Sequence, residues 1–151
     1  MDARLKFIAE LARQDGDYTV VDCGCDHGKV LYYLLAANDR CSAIAIDRSA
    51  PSLNKAKELL LGWVDRVRFY CADGLDCLGD VRLDTLIISG IGGRNMVEIL
   101  SRAKARFGRL ILSPHRDVDY VAEWLGNNGY TLERTHKLEC KRKHYVVLEA
   151  A

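Results

Sequence analysis

The chain has 151 residues, 49% of them hydrophobic, and a formal net charge of +1. That suits one domain over 1–151 with its own core, and it excludes a disordered chain or one drawn by its overall charge to nucleic acid or anionic lipid. No stretch reaches the roughly 18 apolar residues of a membrane helix, and "MDARLKFIAELARQ" has no signal-peptide core, so the expected location is cytoplasmic.

Leu5, Ile8, Leu11 and Ala12 repeat at helical spacing, with Asp2 placed to cap the start. "YTVVDCG" (18–24) reads as a strand and "KVLYYLLAAN" (29–38) as a helix. "CSAIAIDR" (41–48) is a second strand, followed by a helix with Ser49 as N-cap and Pro51 in its first turn. Strands follow at 67–73 and 83–91, a helix at 94–105, a strand at 109–114 and a helix at 119–129. The last two strands, 131–140 and 144–150, are linked by Lys141, Arg142 and Lys143 alone, which requires an antiparallel pair. Strands one, two, four and five are nearly continuous apolar runs, as in a parallel sheet buried on both faces. The expected architecture is α/β and Rossmann-like: a mostly parallel seven-stranded sheet, its last strand reversed, with helices on both faces.

Ligands of open α/β sheets bind outside the carboxyl ends of the strands. Here every such end is polar or carries glycine: Asp22 to Gly28, Asp47-Arg48, Asp73-Gly74, Ser89 to Gly93, and Pro114-His115. Gly24 permits a tight turn and Gly28 opens the next helix. Asp47, some 20 residues on, suits a ribose diol, and Asp73 suits the exocyclic amine of adenine. Asp26 stands where a dinucleotide-binding GxGxxG would carry its second glycine. It would repel a pyrophosphate but welcome a sulfonium or ammonium, so the charge favours S-adenosylmethionine over NAD or FAD. The cofactor-binding candidates are Asp22, Gly24, Cys25, Asp26, His27, Asp47, Arg48, Asp73, Gly74, Ser89 and Gly90.

Cys23 and Cys25 alternate along a strand and are expected to share a face. Cys-x-Cys-Asp-His lacks the two-pair spacing of structural zinc sites, so packed thiols and no metal are expected. None of the six cysteines forms a CxxC, and a disulfide framework is not expected. "SGIGG" is either a tight turn or a floor for a flat base. His27 either caps the helix or holds the loop. The helix around Arg102, Lys104 and Arg106 reads as solvated.

"VVDCGCDHGKV" resembles the "DIGSDHAYLP" loop of the bacterial tRNA adenine-N1 methyltransferase family that modifies position 22. "DTLIISGIGGRNMVEIL" is similar to its "DTI.IAGMGG..I..IL", and "RLILSP", "EWLGNNGY" and "YVVLE" follow in the family's order. The resemblance covers nearly the whole chain. It implies a class I methyltransferase with S-adenosylmethionine as cofactor and tRNA as partner. Departures are Gly28-Lys29-Val30 for Ala-Tyr-Leu, and His115 for an asparagine. Family members continue into a helical domain that helps hold tRNA; this sequence ends at Ala151, after the last strand, so that domain is expected to be lacking.

On this reading methyl transfer is direct, and Asp26 is the catalytic candidate, stabilising the charge that develops on adenine N1. The base must be unpaired or flipped out. The substrate-binding candidates are Gly92, Gly93, Arg94, Pro114, His115, Lys141, Arg142 and Lys143. Two alternatives remain: a module that binds the cofactor without methylating RNA, and a methyltransferase for a small molecule or protein.

Overall fold

The computed structural model describes residues 2–151. Helix α1 (Ala3–Ala12) starts as its sequence requires, with the Asp2 carboxylate accepting the Leu5 N–H at 2.8 Å. There follow β1 (Tyr18–Cys23), α2 (Lys29–Ala37), β2 (Cys41–Asp47), α3 (Ala50–Leu59), β3 (Val67–Cys71), β4 (Arg82–Ser89), α4 (Gly93–Arg102), β5 (Arg106–Ser113), α5 (Val118–Asn127), β6 (Leu132–Cys140) and β7 (Lys143–Ala150). Ser49 caps α3, its hydroxyl accepting the Ser52 N–H.

The seven strands form one sheet in the order β3-β2-β1-β4-β5-β7-β6. Strands β1 to β5 are mutually parallel, and β7 runs antiparallel to both β5 and β6. β7 is therefore the one reversed strand, inserted between β5 and the edge strand β6, and the expected architecture is observed. From β1 the chain builds outward to β3 and then returns to lay β4 on the other side of β1. This reversal is the switch point at which such sheets open a crevice.

Alternation sorts the core into two layers. Ala43 and Ala45 of β2 face α1, α2 and α3, where Ile8, Leu31, Leu34 and Ala56 are buried. Ile44 and Ile46 face α4 and α5, where Met96, Val97, Val121 and Leu125 are buried. Each strand end is thereby held from both faces, which fixes the loops that follow.

Several boundaries differ from the sequence expectation. α4 stops at Arg102 rather than 105, because β5 begins at Arg106, where Arg106 and Phe107 pair with Arg82 and Leu83 of β4. β3 ends at Cys71 and β4 at Ser89, leaving Asp73, Gly74, Gly90 and Ile91 in loops. Short 3-10 turns at Leu61–Arg66 and Asp76–Leu78 had no signal in the periodicity. The last link is shorter than expected: Cys140 pairs with Lys143, so Lys141 and Arg142 alone make the turn. Among the described residues, no helix is long and apolar enough to cross a membrane.

At the far end of the sheet from the polar loops, the buried Glu149 carboxylate joins three strands. It accepts from Arg109 Nη2 of β5 at 2.6 Å, and its other oxygen lies 2.6 Å from His136 Nε2 of β6. Burial alone would raise its pKa, but these hydrogen bonds and charges outweigh burial and hold it below the usual glutamate range. A depressed carboxylate pKa contributes stability that is present above the unfolded value, about 4.5, and is lost as pH falls through the folded one. Glu149→Gln should cost about 2 kcal/mol at pH 7 by leaving Arg109 without its counter-charge. In denaturant titrations the gap between variant and wild type should close as the pH is lowered below that range; a gap constant down to pH 3 would show that the charge is not the cause.

Candidate functional site

At the carboxyl edge of the sheet lies an open cleft of about 550 Å³, lined by the loops after β1 to β5 and by parts of α1 and α4. The loop after β1 is built by backbone chemistry. The Gly24 and Cys25 N–H groups both donate to the Ile46 carbonyl, at 2.7 and 2.9 Å. Gly24 has φ +81° and Asp26 φ +52°, left-handed conformations that turn the chain sharply across the ends of β1 and β2. The Asp26 N–H then donates to Asp47 Oδ2 at 2.9 Å, while Asp47 Oδ1 accepts the Ser49 N–H at 2.8 Å. Gly28, also left-handed, opens α2 where a Cβ would press to 3.1 Å on Ala56.

Of the expected cofactor residues, Asp22, Gly24, Cys25, Asp26, His27, Asp47, Arg48, Asp73, Gly74, Ser89 and Gly90 all line this cleft. The Asp26 side chain is 73% exposed at the rim, with His27 Nε2 3.5 Å from its carboxylate. Asp22 lies at the floor, 4% exposed. Burial, then the charges of Asp47 and Asp26, push its pKa up to about 7.

The two cysteines do not share a face, contrary to the sequence expectation. Cys23 belongs to the layer under α4 and α5, Cys25 to the layer under α1 to α3. The turn at Gly24 breaks the strand alternation that the expectation assumed. Both thiols are buried, which raises their pKa, that of Cys23 to about 12, so they stay protonated and unreactive at neutral pH.

The loops after β4 and β5 are zipped together: Gly90 N–H donates to the Ser113 carbonyl, His115 N–H to Ile91 and Gly93 N–H to Arg116. The His115 ring lies against Gly90 and lines the cleft, as expected. Gly92 and Gly93 do not line it. A Cβ on Gly93 would fall 2.5 Å from the Asp117 carbonyl, so this glycine serves close backbone packing, and Gly92 lies under the Arg116 side chain. The choice between turn and floor for "SGIGG" thus divides: Gly90 faces the cleft, and Gly92 and Gly93 are structural. Pro114 is buried beside the cleft. Arg94 faces away, 3.8 Å from Asp117 and 4.6 Å over the Tyr120 ring.

Lys141, Arg142 and Lys143 lie outside the cleft wall, exposed, at the tip of the β6–β7 hairpin. Since β6 is parallel to β1–β5, this tip projects from the same sheet edge as the cleft. Lys141 has φ +51° and Arg142 φ +65°. Such a turn favours Asn-Gly, so two long basic residues there carry backbone strain.

Two features escaped the sequence reading. One wall is a stripe of α4: Asn95, Glu98, Ile99 and Arg102. Arg102 is not simply solvated; it pairs with Glu98 at 3.2 Å and Asp76 at 3.7 Å and donates to the Asp73 carbonyl at 3.3 Å. The i, i+3, i+4, i+7 spacing was the available signal. The other is Arg4 of α1, which reaches the cleft from outside all five strand loops.

A family model for the methyltransferase domain matches residues 1–148. The chain belongs to this methyltransferase family. Over 150 residues it is 29% identical to a Mycoplasma pneumoniae protein described as "Putative tRNA methyltransferase", covering 98% of this chain and 70% of that one. The Bacillus subtilis M1A22 tRNA methyltransferase TrmK superposes with a TM-score of 0.87 at 28% identity, over 99% of this chain and 65% of that one. Streptococcus pneumoniae Sp1610 in complex with S-adenosyl-L-methionine gives 0.80 at 25% identity, over 99% and 72%.

For a methyltransferase, the notable property of this cleft is its charge. Asp22, Asp26, Asp47, Asp73 and Glu98 line it together with Arg4, Lys29, Arg48 and Arg102, so the cleft carries both signs; its inner end, where Asp22 is buried with Asp47 and Asp26 near it, favours a ligand that brings positive charge there. Because the folded pKa of Asp22 is raised, the folded state binds this proton more tightly than the unfolded chain. Stability therefore falls as pH rises from about 4 to about 7. Asp22→Asn should stabilise the ligand-free protein by about 2 kcal/mol at pH 8 and leave it unchanged near pH 4. Wild-type affinity for a cationic ligand should rise with pH through 7, and that of the variant should stay low and flat. Thermal melts and calorimetric titrations at both pH values check this.

Proposed function

We propose that the protein is a cytoplasmic, S-adenosylmethionine-dependent methyltransferase that methylates N1 of an adenine in tRNA. The observation that carries this reading is the crevice at the β1/β4 switch point, where Asp22 is buried with Asp47 and Asp26 near it and Asp47 fixes the left-handed Gly24–Asp26 turn. The Bacillus subtilis and Streptococcus pneumoniae relatives support the choice of cofactor and of nucleoside.

The cleft fits this cofactor. Its glycines leave room for close approach, and Asp47 retains lone pairs beyond the two backbone N–H groups it accepts. In this role Asp47 accepts from the ribose hydroxyls, Asp73 and Gly74 border the adenine, and Arg48 flanks it. Asp22, Gly24, Cys25 and His27 border the amino-acid portion, with Ser89 and Gly90 closing the opposite side. The bound cofactor supplies a methyl group activated on a cationic sulfur. The protein aligns the acceptor nitrogen with it and excludes water. Asp26, exposed at the rim, is placed to stabilise the positive charge that N1 acquires or to take the exocyclic amine proton. His115 borders the acceptor base, and the Lys141–Arg142–Lys143 tip meets the phosphate backbone; Arg94 would join it by leaving Asp117.

Incubation with adenosylmethionine and unmodified tRNA, then digestion and mass spectrometry, should yield 1-methyladenosine. Asp47→Ala should reduce it at least about 100-fold, the loss expected when positioning of the cofactor fails. Binding of the cofactor with no methylated adenine would instead assign the chain to the cofactor-binding-module reading, and a methylated small molecule or protein to the other.

The hairpin separates stability from recognition. Replacing Lys141-Arg142 by Asn-Gly should stabilise the protein by about 1–2 kcal/mol through relief of left-handed strain. It should also weaken tRNA binding and lower the slope of log K against log salt by about 1.5–2. Unchanged RNA affinity across a salt series would remove the hairpin from the interface.

A further inference from the structure

Arg116 has no assigned role, and its seat is unusual for an exposed cation. It lies in the loop after β5, next to His115, which lines the cleft. Its backbone is fixed by the zipped loops: the His115 N–H donates to the Ile91 carbonyl at 2.8 Å, and the Arg116 carbonyl accepts the Gly93 N–H at 2.9 Å. The side chain is laid on Gly92. A Cβ at that glycine would stand 3.3 Å from each of Cζ, Nε and Nη2 of Arg116. A point equidistant from three atoms of a planar fork lies over its face, so the guanidinium rests flat on the Gly92 backbone. Gly92 has φ -69° and ψ 152°, extended backbone that any residue adopts, and it gives α4 no side-chain cap. What its missing Cβ provides is this flat seat. The outer face of the guanidinium is open to solvent, and among the described residues Arg116 forms no ion pair. The acid next to it in sequence, Asp117, is turned to Arg94 at 3.8 Å, and Arg94 is itself held over the Tyr120 ring.

A guanidinium is weakly hydrated and stacks on aromatic planes, and unpaired bases of RNA stack on such planes. The position of the base follows from the acceptor proposed above. An adenine reaches the cleft beside His115 only after leaving its stack. The base next to it in the chain then loses a neighbour and stands at the rim, where the cleft-lining Ile91 and His115 flank Arg116. We propose that Arg116 is a base-stacking residue of the RNA interface, its outer guanidinium face taking the place of the extruded adenine against the adjoining base. This rests on the tRNA acceptor proposed above and is separate from the phosphate contacts of Arg94 and the hairpin.

The test measures methyl transfer, at saturating S-adenosylmethionine, to unmodified tRNA and to two tRNAs with an abasic nucleotide on one or the other side of the adenine found to be methylated. Arg116→Ala should raise KM for intact tRNA by about 5–100-fold, the range for losing one base stack, and leave KM for S-adenosylmethionine unchanged. Arg116→Lys keeps the charge and loses the plane, so it should recover little of that loss. On one of the two abasic tRNAs wild type should suffer a similar loss, and Arg116→Ala should then add less than about a further twofold. Full recovery by lysine would mean that Arg116 contributes charge alone. Losses that multiply on both abasic tRNAs would mean that it meets neither adjoining base. Wild type equally active on all three tRNAs, or an unchanged KM in Arg116→Ala, would place no stacked base there; each of these results overturns the proposal. Wild type that binds S-adenosylmethionine but yields no methylated adenine in tRNA would refute the acceptor reading itself, and this inference with it.

Discussion

The carboxylate of Asp47 is the constraint on which the site depends. Its two oxygens accept N–H groups from opposite directions, Asp26 across the gap to the β1 loop and Ser49 at the start of α3. The first bond holds the left-handed turn at Gly24–Asp26; the second holds the cap of the next helix. A carboxylate offers about four acceptor positions, so two remain for a ligand diol. On the proposed reading Asp47 is thus loop anchor and ligand acceptor at once. An asparagine there would retain one oxygen and lose one of the two loop bonds, so even a near-isosteric change acts on both roles.

The charge arrangement around that anchor opposes folding. Asp22 is buried with Asp47 and Asp26 near it, and burial together with those charges raises its pKa to about 7. No packing advantage requires an aspartate at the inner end of this cleft; an apolar or neutral residue would be less costly there. A site that is unfavourable when empty becomes favourable when a cation enters, because the ligand relieves the repulsion that folding created. The same logic applies at the Lys141-Arg142 turn, where left-handed backbone is imposed on two cationic residues at the edge that faces the cleft. On the proposed reading this strain lies where the hairpin meets the tRNA backbone.

The fold was largely legible in the sequence because burial on both faces leaves a strong signal. β1, β2, β4 and β5 are apolar almost throughout, and the short link after Cys140 dictated the reversed final strand. The helix caps at Asp2 and Ser49 were legible for the same local reason. What was not legible depended on pairing between distant segments. The early start of β5 follows from its ladder with Arg82 and Leu83, which no local pattern announces. The faces of Cys23 and Cys25 followed from one left-handed glycine between them, which interrupts the period of two. The sequence leaves Gly93 open between a tight turn and a ligand floor, and its lack of a Cβ answers to the Asp117 carbonyl of another loop.

The strand-end rule also explains which site residues were found and which were missed. It located the loops after β1 to β5, because in a parallel sheet their positions are fixed by topology. It is silent about walls supplied by helices. Arg102 looked like one cation among several near the end of α4, and its partners Asp76 and Asp73 belong to a loop nearly thirty residues earlier. Arg4 lay still further from any motif, in the first turn of a helix whose apolar spacing was satisfied without it. Both are arginines whose positions in the cleft wall come from what surrounds the guanidinium rather than from their neighbours in sequence. A long side chain can cross from an outer helix to a central cleft, so its destination is set by tertiary packing. The acidic half of this cleft was therefore readable from the strand ends, and its basic complement became visible in the folded protein.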